Sequence, residues 1–213
     1  MGISAEDLAA ALDALAARDP KIAAAIARVG YPEPRISDRG YHTLLRAIVG
    51  QQVSVASATS MWTKLTAVVG DPPEPVRLLA ASDEDLRGAG LSRQKMAYAR
   101  SLAEEVVSGR IDFDDLPTDD EEAIAELVRI KGIGRWTAEV YLLFAEGRTD
   151  VWPAGDLAVQ IEAGVILGLP ERPTEKSLRE LSEAWRPHRG AFAILTWHHR
   201  RAGMTSKADQ APV

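Results

Sequence analysis

The stretch from Leu127 to Asp156 constrains the fold more tightly than any other part of the chain. It reads L-V-R-I-K-G-I-G-R-W-T-A-E, then an apolar run, then D-V-W-P-A-G-D-L. Apolar residues at helical spacing lie on both sides of Ile130-Lys131-Gly132-Ile133-Gly134, which predicts a helix, a tight turn and a second helix beginning near Thr137-Ala138. The two glycines permit positive φ and carry no Cβ, so another group can come close to the backbone. Backbone amides from Gly134 to Trp136 open the second helix and point at that space. Phosphate is the natural occupant of such an end, because unpaired N–H groups and the helix dipole both favour an anion. Leu127, Ile130 and Ile133 supply the apolar side that holds the turn down. Further on, the loop Pro153-Ala154-Gly155 delivers one carboxylate, Asp156, to the start of the next helix.

The rest of the chain is helical in pattern as well. No segment alternates with period two for long, and apolar residues recur at helical spacing almost everywhere, so the fold class is all-α. Helices are predicted near 4–17, 20–29, 39–52, 54–69, 75–81, 83–88, 92–109, 119–130, 134–146, 155–168, 174–184 and 188–201. Ser4 with Asp7, Ser82 with Asp85 and Thr118 with Glu121 have the spacing of capping boxes, and Pro32, Pro34, Pro72, Pro73, Pro75, Pro117, Pro170 and Pro173 punctuate the connections. A chain of 213 residues, 46% of them hydrophobic, can bury a sizeable core as one large domain or two lobes. It has no cysteine, which excludes disulfides, zinc–thiolate sites and cysteine-held iron–sulfur clusters. The four histidines show no metal-ligand spacing. No apolar run approaches the roughly 20 residues of a membrane span, and no signal pattern opens the chain, so a soluble cytoplasmic protein without membrane partners is expected. The net charge of −6 is unusual for a polyanion binder. Local clusters offset it: Arg129, Lys131 and Arg135 flank the glycine turn, and Arg186, Arg189, Arg200 and Arg201 gather with His188, His198 and His199.

The glycine turn, the Pro153-Ala154-Gly155 loop and Asp156 together resemble the helix-hairpin-helix, Gly/Pro-rich loop, Asp superfamily of DNA base-excision glycosylases. Two more blocks, R-A-I-V-G-Q-Q-V-S at 46–54 and W-R-P-H-R-G-A-F-A-I-L-T-W at 185–197, are similar to segments of the 3-methyladenine DNA glycosylase II family. The resemblance spans about Tyr41 to Trp197. It implies two helical lobes flanking a DNA-binding cleft within residues 1–202, one lobe holding both chain ends and a central lobe covering about 40–150. Residues 203–213 are expected to form a flexible tail. With only about forty residues before Tyr41, the implied form is compact and lacks the N-terminal β-domain of the larger enterobacterial members. A monomer in the bacterial cytoplasm, associated with the nucleoid and acting on double-stranded DNA that contains alkylated bases, is the expectation.

Residue by residue, the resemblance makes Asp156 the catalytic carboxylate. Asp at that point is also an ordinary helix N-cap, and the two roles are compatible, because a helix N-terminus stabilises the ionised carboxylate that a glycosylase needs. Whether it stabilises the oxocarbenium-like sugar or also positions water stays open. Trp136 occupies the position where lyase-type members carry their Schiff-base lysine, which implies a monofunctional enzyme. Trp136 and Trp197 match aromatic positions of the base pocket, Tyr41 is a third candidate, and Val140 stands where the larger members have an aromatic residue. Gln52, beside Gln51, matches the residue that enters the duplex where the flipped nucleotide was. The implied DNA contacts are Lys131, Gly132, Ile133, Gly134, Arg135, Thr137, Gln51 and Gln52. Main-chain carbonyls of Val128, Ile130 and Ile133 match a monovalent cation site, Na+ or K+, beside a DNA phosphate; no cofactor is expected for catalysis. The expected activity is release of alkylated purines such as 3-methyladenine and 7-methylguanine by base flipping and hydrolysis of the N-glycosidic bond. The alternative is a non-catalytic helix-hairpin-helix DNA-binding module, which would keep the glycines but gives no reason for Asp156 on its loop.

Overall fold

The computed structural model describes residues 2–208, all-helical and without a strand among them. The chain divides into two compact units, one made of the residues up to Ile36 and from Leu142 onward, the other of Ser37–Tyr141. The first therefore contains both ends of the chain, and the second starts and stops at 37 and 141 where the sequence suggested about 40 and 150.

In the first unit, α1 (Ala5–Ala16), α2 (Pro20–Val29) and α10 (Leu157–Ile166) pack against the long α12 (Arg189–Ala208), with α11 (Glu175–Ser182) beside a 3₁₀ turn at Glu183–Trp185. Leu8, Leu12 and Leu15 recur at helical spacing on α1 and are buried with Ile22 and Phe192. Each such side chain contributes about 1.5–3 kcal/mol by leaving water. Ser4 caps α1 as expected, its hydroxyl accepting the Asp7 N–H at 3.1 Å. A polar group crosses this interior: the buried His199 meets Glu162 (Nδ1 to Oε2, 2.8 Å) and also contacts Arg28, while Arg200 reaches the same carboxylate at 3.4 Å. The helix expected over 188–201 runs on to Ala208, so part of the segment expected as a tail is helical; 209–213 lie outside the described residues.

In the second unit, α7 (Arg93–Val107) is the central element, packing against α3 (Tyr41–Gly50), α5 (Pro75–Ala80) and α6 (Asp83–Gly88); α4 (Val55–Val69) lies against α3, and α8 (Asp120–Val128) pairs with α9 (Arg135–Tyr141). Ala99 and Ala103 on α7 are fully buried, small enough for neighbouring helices to approach. Three local expectations are corrected. The α8 cap is Asp119, one residue after Thr118, and its Oδ1 accepts both the Glu121 and Glu122 amides (2.9 and 3.0 Å), so one side chain satisfies two donors of the first turn. The helix expected over 39–52 stops at Gly50, since Gln51 turns extended and Gln52 goes left-handed at φ 56°. The helix expected over 134–146 winds as a π-helix from Leu142 to Glu146. That wider winding accommodates four consecutive buried residues, Leu142 to Ala145, which no apolar periodicity marks in advance.

Candidate functional site

The glycine turn in the second unit is held by a ring of hydrogen bonds. The Ile130 and Ile133 amides donate to the Leu127 and Ile130 carbonyls at 3.2 and 3.0 Å, and the Lys131 amide donates to the Ser101 hydroxyl on α7 at 3.1 Å. Ile130 and Ile133 are buried beneath it. The two glycines do different work. Gly132 sits at φ 88°, and a Cβ there would lie 2.2 Å from the Tyr98 ring. Gly134 is exposed, and a Cβ on it would meet nothing within 4 Å, so its surroundings are open where the amides opening α9 begin. A Gly134→Arg variant is accordingly expected to keep its melting temperature while losing at least about tenfold in duplex affinity whatever the base content, since phosphate contacts position a protein without reading sequence. Normal binding by the folded variant would count against the hairpin as the DNA contact.

The other residues predicted around the turn separate into exposed and engaged. Lys131 is exposed, Thr137 and Val140 are half-buried, and Trp136 keeps 48% of its surface accessible rather than packing into the core. Arg135 is turned onto two carboxylates, Glu121 (2.5 Å) and the buried Glu139 (2.9 Å), so its guanidinium braces α8 against α9. Tyr41 is buried, with no hydrogen-bond partner for its hydroxyl, and burial pushes that hydroxyl well above the usual tyrosine value. Gln52 is exposed at the left-handed position, whereas the Gln51 side-chain amide donates to the Gly132 carbonyl at 2.9 Å.

Asp156 belongs to the first unit. The loop leading to it is anchored by Trp152, whose ring stacks on Phe192 (5.7 Å, 3°) and meets Trp185 edge-on (5.2 Å, 66°). Val151 to Ala154 are buried, Gln160 donates to the Ala154 carbonyl at 2.8 Å, and the Asp156 amide donates to the Pro153 carbonyl at 2.9 Å. The carboxylate is then fixed as the N-cap of α10, Oδ1 accepting the Val159 N–H at 2.9 Å, with the residue half-buried. Sequence reading missed the aromatic support; its signal is the tryptophan directly before Pro153-Ala154-Gly155. Asp150, just upstream, accepts from Arg186 (2.5 Å) and from the Arg189 side chain (3.0 Å), and the basic cluster read near the C-terminus is to that extent spent within the protein.

Trp197 on α12 is half-buried, its ring 5.5 Å from that of Phe144 at 34°. It opens on a cavity of about 230 Å³, also lined by Pro32, Arg35, Phe144 and Arg201. The Arg35 guanidinium lies over the Phe144 ring at 5.4 Å. No cluster of His, Cys, Asp or Glu able to hold a metal ion occurs among the described residues.

A helical hairpin closed by Gly132 and Gly134, followed by a Gly/Pro loop that sets an Asp at a helix N-terminus, is the defining order of one class of DNA-repair fold. The model of the HhH-GPD superfamily of base excision DNA repair proteins matches residues 45–187, and the chain belongs to that superfamily. It is 34% identical over 161 residues to DNA-3-methyladenine glycosylase 1 of Schizosaccharomyces pombe, covering 74% of this chain and 71% of that protein. Among solved structures it is similar to a DNA-3-methyladenine glycosidase from Bacillus halodurans (TM-score 0.82, 32% identity, 92% of this chain and 91% of that one). A 3-methyladenine DNA glycosylase of Schizosaccharomyces pombe in complex with abasic DNA superposes with TM-score 0.77 at 30% identity, over 95% of this chain and 99% of that one. No helix among the described residues is long and apolar enough to cross a membrane.

Proposed function

We propose that the protein is a monofunctional DNA glycosylase that removes alkylated purines, 3-methyladenine and 7-methylguanine among them, from double-stranded DNA. The observation that carries this reading is the fixed carboxylate of Asp156, held by the Val159 amide at the end of a loop locked by stacked aromatic rings. In the reaction the bond between sugar C1′ and the base nitrogen breaks and its electron pair leaves with the base. The sugar gathers oxocarbenium-like positive charge, which a preorganised anion stabilises, and water then adds at C1′ and loses a proton. Trp136 stands where an imine-forming lysine would stand in lyase-type relatives, so the product is an abasic site.

The amides that open α9 after Gly134 would receive a DNA phosphate, Lys131 and Thr137 adding contacts beside it. Carbonyls of Val128, Ile130 and Ile133 would hold a monovalent cation there; the Ile130 carbonyl spends one lone pair on the Ile133 amide at 3.0 Å and keeps the other. Gln52, exposed on its left-handed turn, would fill the space left by the flipped nucleotide. Half-buried Trp197, in the first unit, would offer a π-face to the base; Trp136 keeps an accessible ring in the second unit.

Lesion choice follows from charge. Alkylation at N3 of adenine or N7 of guanine makes the base cationic, which weakens its glycosidic bond and attracts it to an indole face by about 0.5–2 kcal/mol. The cavity beside Trp197 is lined by Glu33 as well as by Arg35 and Arg201, so its charges do not all favour a cation and bond lability decides the ranking. Release of 3-methyladenine and 7-methylguanine is therefore expected to exceed that of hypoxanthine, and Trp197→Ala to cost the cationic substrates about tenfold or more. Comparing single-turnover rates on the three lesions tests this. Faster hypoxanthine release, or an unchanged Trp197→Ala enzyme, would overturn the pocket assignment.

A further inference from the structure

One face of α7 reaches two of the turns assigned to DNA. Lys95, Tyr98 and Ser101 follow one another at three-residue spacing, which stacks them along one side of the helix. Ser101 accepts the Lys131 amide at 3.1 Å, and the Tyr98 ring fills the space where Gly132 has no side chain. Lys95, 9% exposed, donates from Nζ to the Val49 carbonyl at 2.7 Å. Val49 is in the last turn of α3, and because the helix stops at Gly50 its carbonyl has no donor four residues on. A buried ammonium without a carboxylate partner is costly, although the end of a helix dipole is where a cation is best tolerated. Burial lowers the Lys95 pKa accordingly. Immediately after this contact the chain takes the Gln52 conformation, φ 56°, which strains a non-glycine residue and persists only when neighbours hold it. Gln51 closes the circuit by donating to the Gly132 carbonyl at 2.9 Å.

We propose that Lys95 is a positioning residue: by tying the end of α3 to the α7 face that also supports the hairpin, it fixes the Gln51–Gln52 turn relative to the glycine turn. The consequence for excision rests on the reading of Gln52 as the side chain that enters the duplex. Such a side chain is useful only at a set distance from the gripped phosphate, and Lys95 helps to set that distance from beneath without touching DNA.

Lys95→Met keeps length and removes the donor. Amide hydrogen exchange of the free variant is expected to be about tenfold faster or more at Val49–Gln51, the last hydrogen-bonded amides of α3, with protection of α5 and α6 unchanged. Unchanged exchange at Val49–Gln51 would overturn the proposal whatever Gln52 does. In single-turnover excision, Lys95→Met is expected to lose about tenfold on duplex and less than about twofold on single-stranded substrate, and to add less than about twofold to Gln52→Ala on duplex. Equal losses on both substrates, or full multiplication with Gln52→Ala, would show a merely structural or independent role and overturn it. Gln52→Ala losing equally on duplex and single strand would instead sink the entry of Gln52 into the duplex, leaving the exchange result to decide on Lys95. If Lys95→Met does not fold, Ser101→Ala reads the same face: faster exchange at Lys131–Gly132 and a duplex-selective loss are expected, and neither appearing would overturn the proposal.

Discussion

Asp156→Asn is expected to reduce base release by at least about 10²–10³-fold, the loss typical when a preorganised group facing transition-state charge is removed. Folding and duplex binding are expected to stay nearly intact. The side-chain oxygen that accepts the Val159 amide at 2.9 Å survives the change, and Asn is about as good an N-cap as Asp. The packing that aims the loop, Trp152 on Phe192 and Trp185, is untouched. What is lost is the negative charge, together with one acceptor oxygen that becomes an amide NH2. Single-turnover excision, with a thermal melt and a duplex titration of the same preparation, checks all three points. Near-wild-type excision by the Asn variant would remove Asp156 from the chemistry.

Gly132→Ala is expected to be the most damaging small substitution in the hairpin. Its methyl would lie 2.2–2.8 Å from three Tyr98 ring atoms, at φ 88°. Left-handed strain of about 1–2 kcal/mol adds to overpacking of about 1–3 kcal/mol, so a loss of about 3 kcal/mol is expected. At about 2–4 °C per kcal/mol for a chain of this size, the melting temperature should fall by about 6–12 °C. Duplex affinity should fall with it, because the turn is forced off its Ser101 and Gln51 anchors. Gly134→Ala provides the contrast, since its methyl enters open space and the melting temperature should barely move. Equal melting temperatures for the two alanine variants would contradict the roles given to the two glycines.

Much of this architecture is legible in the order of the residues. Capping residues such as Ser4 and Ser82 mark their helices because their hydroxyls have to meet amides at fixed spacing, and they do so here. The hairpin is legible because two glycines in five residues, flanked by apolar anchors, leave few alternatives. What escapes is whatever depends on partners distant in sequence. Arg135 looks like a DNA-facing cation until Glu121 and Glu139 are seen to hold it. Arg186 and Arg189 look like part of a basic patch until Asp150 takes them. Tyr41, read as a pocket aromatic, is buried with no hydrogen-bond partner for its hydroxyl, which the sequence does not reveal. The left-handed turn at Gln52 leaves no mark in the sequence, since glutamine has no preference for it; its cause lies in the packing of α3 and α7. In a chain of net charge −6, counting cations overstates the charge available to DNA, because many of them are neutralised internally.

The protein is expected to break N-glycosidic bonds of alkylated purines and to leave the DNA backbone whole. The most direct measurement incubates purified protein with methylated duplex DNA, identifies the free bases by chromatography and runs the same DNA on a denaturing gel with and without alkali. Free 3-methyladenine and 7-methylguanine, with strands that break only after alkali, are the expected result. No free base despite tight duplex binding would make the protein a non-catalytic helix-hairpin-helix module, and strand cleavage without alkali would contradict the monofunctional reading.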